Sequence, residues 1–119
     1  MKTTLTPHTG VTIPEPIWSL ANSMKAALRE HYGERLEKVI LYGSYARGDY
    51  HSESDVDLLV VLNDIEVDAA AERKALFDLW FEVFFSKSIK FSLHPVSLRA
   101  YIDKANFLYH FVQKEGIEL

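Results

Sequence analysis

Hydrophobic positions change their period along the chain, and each change predicts a separate element. After Pro16 apolar residues recur at spacings of three and four, which predicts an amphipathic helix that ends near Gly33. These apolar positions are Ile17, Leu20, Ala21, Met24 and Leu28. Residues 1–14, which are rich in Thr and Pro, show no sustained period, so we expect an irregular N-terminal segment.

Two short apolar runs predict neighbouring strands. Residues 39–42 are wholly apolar and end at Gly43, as is typical of a strand covered on both faces. Residues 56–62 are again apolar and β-branched, which predicts a second strand. Between them, residues 44–54 collect Ser, Gly, Asp and His, so we expect a turn to join the two strands.

The second half of the chain predicts helices around one more strand. A wide apolar stripe at helical spacing over residues 66–87 predicts one long helix that covers the sheet. Residues 88–96 alternate and predict a third strand with Lys90, Ser92 and His94 on its polar face. The apolar face of that strand would carry Ile89, Phe91, Leu93 and Pro95.

Two short helices complete the predicted order. Ser97 is a suitable N-cap for a helix that runs to about Lys104. A last helix over 106–114 would stop at Gly116. The sequence therefore predicts a small mixed α/β (α+β) fold, with helices packed on a sheet of about three to four strands, as a single domain over residues 15–119.

Composition narrows the classes of function. The chain has 119 residues, of which 48% are hydrophobic and 25% are charged, as in ordinary globular domains. A net charge of -4 argues against broad nucleic-acid binding, and the absence of cysteine excludes disulfides and cysteine-based zinc sites. The sequence shows no secretory signal and no apolar run of the ~18 residues that a membrane span needs. We expect a cytoplasmic protein that is not bound to a membrane.

A pair of carboxylates is the strongest candidate for chemistry. Asp55 and Asp57 lie two residues apart on a predicted strand, so both side chains leave the same face, while Val56 and Leu58 point to the core. Two parallel carboxylates repel each other unless a cation lies between them. Mg²⁺ is the natural choice, because it binds carboxylate oxygens together with substrate phosphates.

Gly43, Ser44 and Arg47 form a candidate phosphate site beside these carboxylates. Glycine at the end of a strand allows a sharp turn and a close approach of phosphate. If Ser44 opens a helical turn, its amide and hydroxyl can face anionic oxygens, and Arg47 adds a positive charge. Each feature alone is common in loops and turns, but their order and spacing at the ends of two buried strands favour a functional site.

The segment GSYARGDYHSESDVDLLVVL resembles the signature of the polymerase-beta-type nucleotidyltransferases, and specifically of their minimal nucleotidyltransferase (MNT) branch. The ending NFLYHFVQKEGIEL is similar to the last helix and Glu-Gly-Ile of such domains, so the resemblance covers about residues 15–119. It implies that Gly43 and Ser44 hold a nucleoside triphosphate, most simply ATP. It also implies that Asp55 and Asp57 coordinate Mg²⁺ and that Arg47 assists.

The family usually has a third carboxylate on a later strand, which binds metal and helps to deprotonate the acceptor. The predicted third strand has no acidic residue on its polar face, so His94 is our candidate for a base or neutral ligand there. Asp78 and Glu82 lie on a predicted helix, and we assign them to its solvated face. The sequence therefore predicts either a domain that catalyses with two carboxylates or one that keeps the nucleotide site and has lost much of its rate.

The remaining aromatic and histidine residues carry weaker expectations. Tyr45 and Tyr50 flank the glycine turn and could stack on a base. Aromatic residues on the apolar stripes are expected in the core or on a surface that faces a partner; they are Trp18, Phe77, Trp80, Phe84 and Phe111. The other histidines lack the spacing of metal ligands; they are His8, His31, His51 and His110.

The resemblance also implies a biological role. MNT domains are typically encoded beside a HEPN protein, and the MNT member acts as an antitoxin that transfers AMP from ATP to a tyrosine of the HEPN ribonuclease toxin. Two alternatives stay open. One is an MNT-fold antitoxin with little or no catalysis, which acts by binding its partner; apart from its function, the chain could also form an oligomer. The other is a small-molecule nucleotidyltransferase of the aminoglycoside-modifying kind, for which the chain leaves little room to build a sugar pocket.

Overall fold

The computed structural model describes residues 12–119, so most of the irregular segment expected over residues 1–14, with His8, lies outside the described residues. No helix within 12–119 is long and apolar enough to cross a membrane. The elements are α1 (Glu15–Tyr32), a 3-10 turn (Gly33–Arg35), β1 (Leu36–Tyr42), α2 (Ser44–Arg47), β2 (Val56–Leu62), α3 (Ala69–Ala75), α4 (Phe77–Lys87), β3 (Phe91–Ser97), α5 (Leu98–Ile102), α6 (Phe107–Glu115) and β4 (Ile117–Glu118).

The four strands form one mixed sheet in the order β3–β2–β1–β4. β1 pairs antiparallel with both β2 and β4, whereas β2 and β3 are parallel. Parallel neighbours need a long crossover, and α3 and α4 lie within the chain that makes it. The mixed α/β class predicted from the sequence is therefore confirmed.

Helices cover both faces of the sheet. One core places α1 and Leu76 against alternate residues of the strands, including Val56 and Leu58 as predicted. A smaller core on the other face joins Leu59 and Val61 to Tyr109 and other residues of α5 and α6. Since β2 is central and covered on both sides, every residue in it except Asp57 is buried.

The long helix expected over residues 66–87 is instead two helices. The first begins only at Ala69, where the Asp68 side chain accepts a hydrogen bond from the Ala71 amide. The helix is interrupted at Leu76, whose amide bonds to the carbonyls of both Glu72 and Arg73, the tighter bonding typical of a 3-10 turn. Periodicity did not reveal this break, because no glycine or proline marks it.

The expected covering role of this segment is only partly correct. Trp80 and Phe84 pack against the larger core, but Phe77, Phe81 and Phe85 are exposed by 55%, 49% and 75%. A stripe that is apolar almost all round can bury only the side that meets the sheet. The other side of α4 is an apolar surface open to solvent.

The ends of the later elements differ from the sequence predictions. β3 runs over Phe91–Ser97, so Ile89 and Lys90 precede the strand. Ser97 caps α5 as predicted, although that helix ends at Ile102. α6 ends before Gly116 as predicted, and the chain then forms β4, which the sequence analysis did not find.

Candidate active site

Three strand ends meet at the candidate site. Asp57, the second residue of β2, lies between Tyr42 of β1 and Ser92 of β3, so the three residues form a row across the sheet. Tyr42 packs against the smaller core beneath α5 and α6. Burial raises the pKa of Tyr42 to about 12, and the nearby charge of Asp57 contributes less to this rise. Tyr42 is therefore a neutral phenol beside the carboxylate at neutral pH.

Gly43 and Asp57 are in unusually close contact. The Gly43 backbone has a φ of 82° and a ψ of -156°, a region that is nearly exclusive to glycine. A Cβ at this position would overlap Oδ2 of Asp57. Glycine is therefore required at this position for two reasons: its backbone angles, and the space that the Asp57 carboxylate occupies.

The chain turns directly from Gly43 into α2. The Gly43 carbonyl accepts hydrogen bonds from the amides of Ala46 and Arg47, at 3.1 Å and 3.0 Å. Ser44 is the first residue of this single helical turn, as expected if it opens one. The assignment of Gly43 and Ser44 to a triphosphate stays a prediction, which this geometry supports.

Asp57 carries a charge that the protein stabilises only in part. Burial raises the pKa of its carboxyl, a hydrogen bond from Ser92 lowers it, the neighbouring Asp55 raises it, and Arg47 lowers it, with a net rise. The Ser92 hydroxyl donates to Oδ1 of Asp57 at 2.9 Å. A cation bound beside this carboxylate would relieve the cost of its burial.

Asp55 lies immediately before β2 and not on it, which corrects the predicted strand placement. It is exposed, yet near enough to Asp57 for their charges to interact. Within residues 12–119 no group of three or more His, Cys, Asp or Glu side chains could hold a metal ion. Two carboxylates do fit Mg²⁺ that is also coordinated by the phosphates of a nucleotide.

Arg47 lies near the carboxylates but has partners of its own. Its guanidinium is 3.2 Å from Asp49 and 4.0 Å from Glu115. A cleft of about 50 Å³ between the Gly43 turn and α6 is lined by both Arg47 and Glu115. The sequence analysis did not single out Glu115 as a candidate, although it belongs to the Glu-Gly-Ile ending that carried the family resemblance.

His94 lies one pleat beyond Ser92 on the same face of β3, opposite Leu59. Its Nε2 is 3.5 Å from the Tyr109 hydroxyl oxygen. Burial, and to a lesser degree the charge of Arg73, lowers its pKa below the usual 6.5, so the ring is neutral at neutral pH. A role for His94 as base stays a prediction.

Other candidate side chains lie away from the carboxylates or are occupied. Tyr45 is buried and stacks on Tyr50 at a ring distance of 4.6 Å, so it is not free to stack on a base. Asp78 and Glu82 are exposed on α4, as predicted. The residue that faces Asp57 from β3, where a third carboxylate was sought, is Ser92.

A glycine turn, a one-turn helix and two carboxylates at the start of a central strand define a nucleotidyltransferase-type domain. The comparisons agree with this class: a nucleotidyltransferase domain model matches residues 22–117, and the chain belongs to that family. It is 36% identical over 93 residues to a proposed protein adenylyltransferase of Methanocaldococcus jannaschii, covering 70% of this chain and 88% of the relative. It is 31% identical over 90 residues to the protein adenylyltransferase MntA of Thermococcus cleftensis, covering 71% and 89%.

Solved structures share the same fold. The chain is similar to a toxin–antitoxin crystal structure with AMP-PNP, with a TM-score of 0.55 and 24% identity over 82% of this chain and 70% of the other. It is also similar to a mutant of the toxin–antitoxin MntA–HpeT, with a TM-score of 0.54 and 22% identity over the same shares. The predicted fold and the resemblance to MNT domains are both confirmed.

Replacing Gly43 tests the contact that shapes the site. We expect Gly43→Ala to lower the free energy of unfolding by about 1–3 kcal/mol from backbone strain, with a further loss from the overlap with Asp57. ATP binding should weaken at the same time, because relief of the overlap moves the carboxylate. Denaturant unfolding and isothermal titration with ATP and Mg²⁺ measure the two effects.

Gly33→Ala is the matched control. Gly33 also has a positive φ of 60°, but a Cβ there meets nothing within 4 Å. This variant should be destabilised by strain and still bind ATP with unchanged affinity. Equal ATP affinity in the two variants would contradict the role given to the Gly43–Asp57 contact.

Proposed function

We propose that this chain transfers AMP from ATP, with Mg²⁺, to a tyrosine of a HEPN ribonuclease toxin, and so acts as the antitoxin of a HEPN/MNT pair. The observation that carries the proposal is the Asp57 carboxylate held against a glycine turn that leaves no side chain in the way of a phosphate. Support for the reaction comes from the relative named protein adenylyltransferase MntA. Support for the donor and the pairing comes from the toxin–antitoxin structure with AMP-PNP.

The residues divide into two roles toward the nucleotide. Gly43 and Ser44 receive the triphosphate at the start of α2, and Arg47 adds a positive charge near the same phosphates. Asp55 and Asp57 hold Mg²⁺ together with phosphate oxygens. When bound there, Mg²⁺ supplies charge neutralisation for the triphosphate and the leaving pyrophosphate.

The transfer itself needs positioning and one proton acceptor. The phenolic oxygen of the acceptor tyrosine forms a bond to the α-phosphorus, and the bond from that phosphorus to the bridging oxygen breaks. Pyrophosphate leaves with the electron pair, in line with the attacking oxygen. His94 takes the phenolic proton, since its lowered pKa keeps the ring neutral and able to accept.

Removing both carboxylate charges should abolish transfer. We expect Asp55→Asn with Asp57→Asn to reduce labelling of the adjacent-gene product by [α-³²P]ATP at least ~100-fold, because the metal contribution is worth several kcal/mol. Label is followed on the partner protein after electrophoresis. Glu53→Gln, which removes an exposed carboxylate from the same loop, is the control and should leave labelling unchanged.

Label on an aminoglycoside instead of the protein would favour the small-molecule enzyme. Absence of label from the wild-type chain, with the partner still bound and inhibited, would replace the proposal with binding alone. That second function is a candidate because Ser92, and not a carboxylate, faces Asp57 from β3.

Introducing the missing carboxylate separates these two functions. We expect Ser92→Asp to raise the transfer rate about tenfold or more, because the added carboxylate lies in register with Asp57 and can bind metal and accept a proton. Ser92→Asn has the same size without the charge and should not raise the rate. If the wild-type chain works by binding alone, neither variant should change inhibition of the partner.

His94→Ala tests the proposed base. Transfer should slow ~100-fold while ATP affinity stays unchanged, which single-turnover kinetics and titration separate. Because the pKa of His94 is lowered, the acid limb of the wild-type pH–rate profile should have its midpoint below pH 6.5, and this limb should vanish in the variant. His31→Ala, at an exposed position of α1, is the control. A wild-type transfer rate in His94→Ala would show that His94 is not the base.

A further inference from the structure

Helix α6 borders the candidate site on one face of the sheet. The hydroxyl oxygen of Tyr109 on this helix lies 3.5 Å from Nε2 of His94 on β3. At the C-terminal end of the helix, Glu115 lies 4.0 Å from the guanidinium of Arg47. Tyr42, at the end of β1, packs on the smaller core beneath the same helix. The helix therefore follows one side of the site from β3 to the end of β1.

The outward side of α6 is aromatic. Phe107 is exposed by 84% and Phe111 by 50%, and the two lie one helical turn apart. Tyr109 and Val112, on the other side of the helix, are buried in the smaller core. Phe111 also lines the cleft of about 50 Å³ between α6 and the Gly43 turn. The exposed aromatic surface of α6 therefore reaches the edge of the candidate site.

Two lysines lie beside this aromatic surface. A depression of about 410 Å³ at the start of α6 is lined by Phe107, Lys104 and His110. Lys114, in the last turn of the helix, is exposed. Within the described part of the chain, neither lysine forms an ion pair. Both charges are therefore free to meet acidic groups of a partner.

The acids beside these lysines offset their charge only in part. Glu115 follows Lys114 but lies beside the guanidinium of Arg47. Asp103 precedes Lys104 and is exposed. Two lysines against one free carboxylate leave this surface positive, although the whole chain has a net charge of -4.

The exposed phenylalanines of α4 lie on the wrong side of the sheet to serve the site. Phe81 and Phe85 belong to a helix that packs on the larger core, together with Val56 and Leu58 of β2. Asp57 alternates with these two β2 residues, so its side chain points to the opposite face. A protein bound to α4 would lie across the sheet from the carboxylate, whereas a protein bound to α6 lies on its side.

We propose that the exposed face of α6, with Phe107 and Phe111 flanked by Lys104 and Lys114, docks the protein that carries the acceptor tyrosine. The partner segment that fits is amphipathic, with apolar side chains against the phenylalanines and acidic side chains against the lysines. The inference rests on the proposed function and deepens it by naming where the partner binds. The same surface would bind the partner if the chain acted by binding alone.

Phe107→Ser with Phe111→Ser tests the aromatic part of this face. Affinity for the adjacent-gene product, measured by isothermal titration, should fall at least about tenfold, as is usual when central aromatic contacts are lost. Phe81→Ser with Phe85→Ser is the matched control, because these residues of α4 are exposed by 49% and 75%. The control should leave the affinity unchanged.

Three outcomes of this comparison would overturn the proposal. Equal affinities of the α6 variant and the wild-type chain would show that the partner does not contact this face. Loss of affinity in the control alone would place the partner on α4. Loss of self-association in the α6 variant, with unchanged affinity for the partner, would assign the face to a second copy of this chain.

Lys104→Glu with Lys114→Glu tests the charges. The association rate at low ionic strength should fall about tenfold, and the difference should shrink at high ionic strength, because exposed charges steer the encounter and are screened by salt. Lys74→Glu with Lys87→Glu makes the same change in net charge on α3 and α4 and should have little effect. Equal effects of the two double substitutions would contradict an acidic partner segment on α6.

Binding and labelling, measured on the same proteins, separate failure of the docking surface from failure of the proposed function. In a chain that transfers AMP, the α6 phenylalanine variant should raise KM for the partner about tenfold and leave kcat unchanged. Wild-type KM and affinity in this variant would overturn the surface and leave the function standing. Loss of binding in the variant, with no labelling by the wild-type chain, would keep the surface and remove the transfer. A wild-type chain that does not bind this protein would overturn both.

Discussion

The arrangement of the site depends on the close approach of the Gly43 backbone to the Asp57 carboxylate. β1 and β2 are buried strands that pair antiparallel, so their register fixes Asp57 beside the end of β1. The turn that leaves β1 has to pass over that carboxylate, and only a residue without a side chain can do so. Hydrophobic packing of β1 and β2 therefore places the Asp57 carboxylate beside Gly43, where the chain turns into α2.

The same packing half-buries the Asp57 carboxylate, and burial is the largest cause of the rise in its pKa. Ser92 donates one hydrogen bond, while Asp55 adds a second negative charge nearby. Arg47 offsets part of this charge, yet it is itself shared with Asp49 and Glu115. The pKa of Asp57 is raised on balance, and carboxylates with shifted pKa values are common at functional sites.

The sequence predicted most of the fold because burial leaves a periodic signal. Residues 56–62, apart from Asp57, are apolar on both faces of a central strand, and they proved to be β2 with its bounds unchanged. β4 was missed because two residues are too few to show any period, and they pair only because Gly116 ends α6 beside β1. The break at Leu76 was missed because no residue type marks it. It is visible only in the Leu76 amide, which bonds to two carbonyls at once.

For the candidate site, spacing singled out Gly43, Ser44, Asp55 and Asp57, which lie close together in the sequence, and the structure brings Gly43 and Asp57 into contact. Ser92 and Glu115 come from distant segments: the strand register brings Ser92 to Asp57, and the end of α6 brings Glu115 to Arg47. The apolar stripe of α4 could not be divided in advance into a covered and an exposed side, since both sides carry the same residue types.

Asp57 has different neighbours on its β1 side and on its β3 side. On the β1 side, the Gly43 turn passes directly over its carboxylate, and both residues belong to the segment that carries the family resemblance. On the β3 side, Ser92 and His94 lie on the face of the sheet that carries Asp57, whereas α4, with its exposed phenylalanines, packs on the opposite face. Large exposed apolar surface is costly in water unless a partner covers it. The sheet therefore separates the polar groups around Asp57 from the exposed side of α4, so nucleotide chemistry does not explain that apolar surface.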